Sequence, residues 1–179
     1  MPGPFDRKIL LLGGARSGKS RRALAMVEES GLHPVYCATG VAVDTEMEER
    51  IARHRKERGE RWKTFETPFG FGEVLREDLR GKGVLVDCVT FLLSNFLFRE
   101  KDGERAFLGA QGELRALFGK QETERFLLVL VSNEVGMGLV PEYPEGRIFR
   151  DLQGRMNQWL AEEADEVYFV VAGIPWKVK

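Results

Sequence analysis

Gly13-Gly14-Ala15-Arg16-Ser17-Gly18-Lys19-Ser20 lies between an apolar run, Ile9-Leu10-Leu11-Leu12, and an amphipathic stretch over residues 21–29. That context is a buried strand turning into a helix. Gly13, Gly18, Lys19 and Ser20 fit the phosphate-loop pattern G-x-x-x-x-G-K-[ST]. Its chemistry explains the residue types. Glycines let the backbone wrap close to a polyphosphate, with successive N–H groups turned toward its oxygens. Lys19 adds a point charge at the β/γ-phosphates and Ser20 a hydroxyl ligand for Mg2+, while the helix N-terminus contributes a favourable dipole. The stretch predicts a nucleoside triphosphate site.

The rest of the chain extends this frame. Short apolar runs at residues 9–12, 35–38, 84–88, 126–131 and 167–172 read as strands buried on both faces, without strict alternation. Helical patterns separate them, over residues 20–29, 45–58, 72–79, 90–99, 104–118 and 146–163. The tail, residues 174–179, reads as a short final strand after the Gly173 break. Alternation of this kind behind an N-terminal phosphate loop predicts an α/β, three-layer P-loop NTPase (RecA-like) fold with a mostly parallel central sheet. No repeat or linker divides residues 1–179, so one domain is expected. Residues 136–146, with three glycines and two prolines, are expected to form a structured functional loop.

Composition narrows the function classes. With 27 basic and 28 acidic residues the net charge is −1, which argues against a protein built to grip a nucleic-acid backbone. The longest apolar run, residues 84–98, is too short to cross a bilayer and holds Asp87, Ser94 and Asn95, so no membrane span is expected. Cys37 and Cys88 read as small buried hydrophobes in a reducing cytoplasm.

Three further segments carry candidate chemistry. Thr45 and Glu48 have capping-box spacing, and Met47, Ile51 and His54 then recur on one helical face. Arg50, Arg53, Arg55, Lys56, Arg58 and Arg61 make this helix and its exit basic. Two readings stand for His54: a histidine satisfied on the helix's inner edge, or a nucleophile toward phosphorus among phosphate-neutralising arginines. Asp87 closes the run Val84-Leu85-Val86-Asp87 and reads either as a Mg2+-holding carboxylate or as a cap for the helix at Thr90. Ser132, Asn133 and Glu134 leave a strand for a Gly-rich loop, and are expected to face the phosphate loop's cleft. Arg147, Arg150 and Arg155 either reach an anionic substrate or decorate an exposed helix face.

Together these segments resemble the bifunctional adenosylcobinamide kinase/adenosylcobinamide-phosphate guanylyltransferase family of cobalamin biosynthesis. The matching pieces are Gly13 through Arg21, Tyr36-Cys37-Ala38-Thr39, residues 44–62 with Glu66, and Leu85-Val86-Asp87-Cys88-Val89-Thr90. They continue through Val131-Ser132-Asn133-Glu134-Val135-Gly136-Met137-Gly138-Leu139-Val140-Pro141 and residues 149–157. The resemblance implies phosphorylation of adenosylcobinamide by ATP or GTP. It further implies transfer of GMP from GTP, through a histidine, to adenosylcobinamide phosphate. It places the histidine on the helix after the second strand. Some relatives carry two adjacent histidines there; this chain reads Arg53-His54, so His54 is the imidazole in the motif. It also implies that the nucleotide contacts Gly13, Gly14, Ala15, Arg16, Ser17, Gly18, Lys19 and Ser20, then Ala38, Thr39 and Gly40, then Arg55, Lys56, Glu57, Arg58, Glu66 and Asp87. Lys19 and His54 are the implied catalytic residues, Ser20 and Asp87 the implied Mg2+ ligands, and a homotrimer the implied assembly.

Overall fold

The computed structural model describes residues 5–42 and 45–179; within its second helix the side chains of Glu46, Met47, Arg50, Arg53, His54 and Glu57 lie outside the description. In chain order the elements are β1 (Lys8–Gly13), α1 (Lys19–Glu29), β2 (His33–Ala38), α2 (Thr45–Arg58), β3 (Lys63–Glu66) and β4 (Lys82–Asp87). Then come α3 (Val89–Glu100), α4 (Gly103–Glu124), β5 (Leu127–Asn133), α5 (Pro144–Glu163), β6 (Glu166–Val171) and β7 (Ile174–Lys177). The strands form one seven-stranded sheet in the order β3-β2-β4-β5-β1-β6-β7. Every pairing is parallel except that of β6 with β7.

Alternation of side chains along each strand divides the core in two. On one face Leu10, Val84, Val86, Leu128 and Leu130 pack with Leu92, Leu93 and Phe96 of α3, Leu114 and Leu117 of α4, and Met156 and Leu160 of α5. On the other, Ile9, Leu11, Leu85, Val129 and Val131 pack with Ala23 and Val27 of α1 and with Trp62. Both faces are therefore covered, which is why the strands read as continuous apolar runs. The three-layer, mostly parallel α/β fold expected from the sequence is the fold observed.

Several boundaries differ for physical reasons. Residues 72–79 form no helix but a single 3-10 turn, Val74–Arg76. The flanking backbone donors go elsewhere: Phe71 N–H and Leu79 N–H bond the Glu113 and Glu124 carboxylates of α4 at 3.1 and 2.7 Å. α4 runs past Phe118 to Glu124 because Gln121 is buried and donates to the Phe126 carbonyl at 3.0 Å, so Gly119 does not end it. α5 begins at Pro144 rather than 146, with proline in the first turn, where its missing N–H costs nothing. β3 was not expected from the sequence. It is short, largely polar and, among the described residues, an edge strand paired with β2.

Leu128 is fully buried on a central strand. Replacing it with alanine should lower unfolding free energy by about 2–5 kcal/mol through lost burial and the cavity left behind. Urea denaturation followed by circular dichroism would measure the shift in midpoint.

Candidate functional site

The carboxyl end of β1 runs into the phosphate loop, and the loop's shape depends on two glycines. A Cβ on Gly13 would lie 2.6 Å from the Val170 carbonyl oxygen and 2.7 Å from Ser17 Oγ. Gly18 adopts φ 94°, a left-handed conformation that costs glycine little, just before α1 begins. Neighbouring backbone holds the loop from both sides. Glu134 N–H donates to the Gly13 carbonyl at 3.0 Å, and Gly173 N–H to the Ser17 carbonyl at 2.8 Å. Lys19, 7% exposed, bends its ammonium back to the Gly14 carbonyl at 2.8 Å. α1 has no side-chain cap and no acidic residue in its first turn, so its N-terminal amide dipoles meet no competing carboxylate there.

Asp87, at the carboxyl end of β4, faces this loop. Ser20 donates from Oγ to Asp87 Oδ1 at 3.3 Å, and Tyr36 donates its phenol to Oδ2 at 2.9 Å. The alternative reading of Asp87 as the cap of α3 does not hold, since Cys88 occupies that position without a side-chain cap bond. Thr90, the residue that reading concerned, instead accepts from Asn133 N–H at 2.8 Å. A hydroxyl and a carboxylate so close together are hard oxygen donors suited to Mg2+, which commonly takes one or two protein ligands and completes its shell with phosphates and water. Burial, followed by the Asp87 charge, raises the Tyr36 phenol above its ordinary pKa, so it stays a donor. Burial likewise pushes the Cys37 and Cys88 thiols up to about 12, so neither is a thiolate near neutral pH. Both are buried and free, as expected.

Lys19, Ser20, Asp87 and Asn133 line a cleft together with Tyr36 and Ala38 of β2, Gly40 just beyond it, Ile51, Arg55 and Arg58 of α2, and Glu66 of β3. The β3 strand missed in the sequence is what brings Glu66 here, in register with Ala38. Glu66 pairs with Arg55 across the opening. Arg58 is 8% exposed, with its guanidinium carbon 3.7 Å from the centre of the Tyr36 ring. Among the described residues its buried Nε has no hydrogen-bond partner, nor has Ser17 Oγ in the phosphate loop.

Not every expected site residue faces the cleft. Thr39 is fully buried; its hydroxyl donates to the Cys88 carbonyl at 2.7 Å and accepts from Cys88 N–H at 2.8 Å, tying β2 to β4. Lys56 is exposed, as are Ala15 and Arg16. His54 and Glu57 belong to α2, but their side chains lie outside the described ones.

The carboxyl end of β5 and the loop that follows it also divide. Asn133 lines the cleft, whereas Ser132 points into α5, where its Oγ donates to Asn157 Oδ1 at 2.7 Å. Asn157 in turn donates to the Asn133 carbonyl at 3.0 Å, fixing the strand's end. Arg147 donates to the Pro141 and Glu142 carbonyls at 3.0 and 2.7 Å, and Arg150 to the Gly136 carbonyl. These two arginines brace the loop. Arg155 decorates the surface, pairing with Glu104. Tyr36 was not anticipated as a site residue, although strand alternation puts it on the same face as Ala38, which pairs with Asp87.

The family described as cobinamide kinase / cobinamide phosphate guanyltransferase matches residues 9–178. This chain belongs to that family. It is 41% identical to the bifunctional adenosylcobalamin biosynthesis protein CobU of Escherichia coli K12, over 96% of this chain and 99% of that one. It is 43% identical to the bifunctional adenosylcobalamin biosynthesis protein CobP of Pseudomonas aeruginosa, over 95% of this chain and 96% of that one. CobU of Salmonella typhimurium LT2 is 40% identical over 96% of this chain. The flagellar accessory protein FlaH of Methanocaldococcus jannaschii shares the fold at a TM-score of 0.51, with 10% identity over 98% of this chain and 79% of that one. The sequence resemblance to the cobinamide kinase/guanylyltransferase family thus holds along nearly the whole length.

Lys19→Ala should weaken GTP binding by about 10- to 100-fold, the range for one charge-assisted hydrogen bond, while leaving the thermal melt close to wild type. Fluorescence titration with a labelled GTP beside a melting curve would check both.

Proposed function

We propose that this chain catalyses both reactions of its family in one domain: phosphorylation of adenosylcobinamide, then guanylylation of the product. The observation that carries the reading is the convergence of Lys19, Ser20 and Asp87 with Ile51, Arg55 and Arg58 of α2 around one cleft. One triphosphate cradle and the helix bearing His54 thereby border the same space.

In the first reaction, the aminopropanol hydroxyl of adenosylcobinamide attacks the γ-phosphorus of ATP or GTP. The new O–P bond replaces the bond to the bridging oxygen, the nucleoside diphosphate leaves, and the hydroxyl proton passes to solvent. The backbone amides of residues 13–20 and the Lys19 ammonium hold the phosphates and offset the charge that moves onto the leaving oxygens. Ser20 and Asp87 are the residues that would hold Mg2+, which when bound supplies further charge neutralisation at the phosphates.

In the second reaction, an imidazole nitrogen of His54 attacks the α-phosphorus of GTP, and pyrophosphate leaves. A phosphate oxygen of adenosylcobinamide phosphate then displaces the histidine and takes the GMP, giving adenosylcobinamide-GDP. Splitting one displacement into two gives each step a good leaving group. Arg55, Arg58, Glu66, Ala38 and Gly40 line the same cleft, and on this reading the two arginines pair with the nucleotide phosphates while the other three border the nucleoside. Thr39 contributes through the backbone turn it fixes, and Lys56 and Glu57 complete the helical segment assigned to the nucleotide.

We assign a cytoplasmic location and a homotrimer on the family resemblance. Ile174 and Trp176 on the edge strand β7, 69% and 67% exposed, offer apolar surface for contact between subunits. Among the described residues no helix is long and apolar enough to cross a membrane.

Incubation with α-labelled GTP and Mg2+ should label the wild-type protein with an acid-labile, base-stable phosphoramidate, and His54→Ala should remain unlabelled. Label that persists in His54→Ala would overturn the assignment of the nucleophile. An unlabelled wild type that still phosphorylates adenosylcobinamide would leave the kinase reaction alone.

A further inference from the structure

Asp87 has two carboxylate oxygens, and the structure gives them different tasks. Oδ1 accepts from Ser20 Oγ at 3.3 Å, at the start of α1, whereas Oδ2 accepts from the Tyr36 phenol at 2.9 Å. Tyr36 is 3% exposed, so its hydroxyl has no ready exchange of Asp87 for bulk water. Its ring is fixed on both sides. The Trp62 indole meets it edge-on, with ring centres 6.0 Å apart at 84°, and Arg58 lies over it with the guanidinium carbon 3.7 Å from its centre. Trp62 is anchored in turn, donating from Nε1 to the Glu28 carboxylate of α1 at 3.1 Å. A carboxylate on its own turns about χ2 over a broad, nearly two-fold range. Here a rigid, doubly packed phenol holds one oxygen and so aims the other at Ser20.

We propose that Tyr36 is a positioning residue for the divalent cation of the nucleotide site: its phenol orients Asp87 toward Ser20 while its ring seats Arg58 in the cleft wall. Residues that bond the far oxygen of a metal-holding carboxylate commonly set metal affinity by about 10- to 100-fold. The two contacts of Tyr36 are separable. The hydroxyl serves the metal carboxylate, and the ring serves the arginine. Tyr36→Phe removes the first and keeps the second, whereas Tyr36→Leu removes both. The inference rests on the reading of this cleft as a Mg2+–nucleotide site and needs no corrinoid to be tested.

The probe is Mn2+ in place of Mg2+, with a GTP analogue whose α,β-bridge is methylene, so that guanylyl transfer cannot consume it. Free Mn2+ is followed by electron paramagnetic resonance as protein and analogue are titrated. Tyr36→Phe should weaken Mn2+ binding in the ternary complex by about tenfold or more. Its affinity for the analogue in EDTA should stay within about twofold of wild type, since the Arg58 stack survives. Tyr36→Leu should lose affinity in EDTA as well. In an Asp87→Asn background, Tyr36→Phe should change Mn2+ affinity little further, because the two side chains act through one contact. Melting curves for each variant report whether the fold is retained. Mn2+ affinity of Tyr36→Phe within about twofold of wild type, or an undiminished Tyr36→Phe effect in the Asp87→Asn background, overturns the proposal. A wild type that binds no Mn2+ with the analogue would sink the metal–nucleotide reading itself, a result separate from failure of the Tyr36 role.

Discussion

The parallel pairing of β1 with β5, and of β4 with β5 and β2, is the constraint from which the site follows. Parallel register carries the last residues of these strands to one edge: Gly13 opposite Asn133, and Asp87 opposite both Val131 and Ala38. Neighbouring backbone then pins the phosphate loop from outside, through Glu134 N–H at 3.0 Å on one side and Gly173 N–H at 2.8 Å on the other. A loop held in this way need not be ordered by its ligand, so less of the binding free energy is lost to immobilising it. Gly13 is the local cost of that arrangement. The β6 backbone passes too close for any side chain there.

Buried polar groups follow the same edge. Thr39 and Cys88 exchange two hydrogen bonds, at 2.7 and 2.8 Å, where β2 and β4 end. Asn95 reaches from α3 to the Thr39 and Pro68 carbonyls, both at 2.8 Å. Ser132, Gln153 and Asn157 form a further network beneath the end of β5. Strand ends beside a ligand cleft expose backbone groups that no ladder can satisfy, and unsatisfied buried groups cost about 1–3 kcal/mol each. These side chains occupy those groups. That explains why Thr39 and Ser132 sit within apparent site motifs yet point away from the cleft.

The fold was legible because both faces of the sheet are covered. Runs such as Leu127–Asn133, buried along almost their whole length, leave little ambiguity about strand identity. The phosphate loop was legible because its residue types are dictated by backbone geometry and charge at fixed spacing. β3 was not, since an edge strand of Lys63, Thr64, Phe65 and Glu66 has one apolar residue, Phe65, and so no apolar pattern to announce it. The stretch over 72–79 misled for the opposite reason: Val74 and Leu79 are fully buried, as in a helix packed on the core, but α4 carboxylates capture the backbone donors of Phe71 and Leu79. The roles of Tyr36 and Thr39 depend on which strand lies beside β2, and that pairing is tertiary information.

The described side chains of α2 set it apart from the other helices. Ile51 is only partly buried, and among the described side chains two arginines hold the helix, Arg58 over Tyr36 and Arg55 with Glu66. An exposed pair such as Arg55–Glu66 contributes roughly 0–1 kcal/mol, whereas a desolvated cation over an aromatic face contributes up to about 2 kcal/mol. Arg58 is thus the stronger anchor of the two, and among the described residues its buried Nε has no hydrogen-bond partner. Its ring contact satisfies the cation's charge but not its N–H geometry. A nucleotide phosphate would supply the acceptor that the aromatic ring cannot. On the proposed reading, the residue that seats the His54 helix is therefore one whose hydrogen bonding is completed by the nucleotide that the histidine attacks. Nucleotide binding and the seating of the nucleophile's helix would then be linked through a single guanidinium.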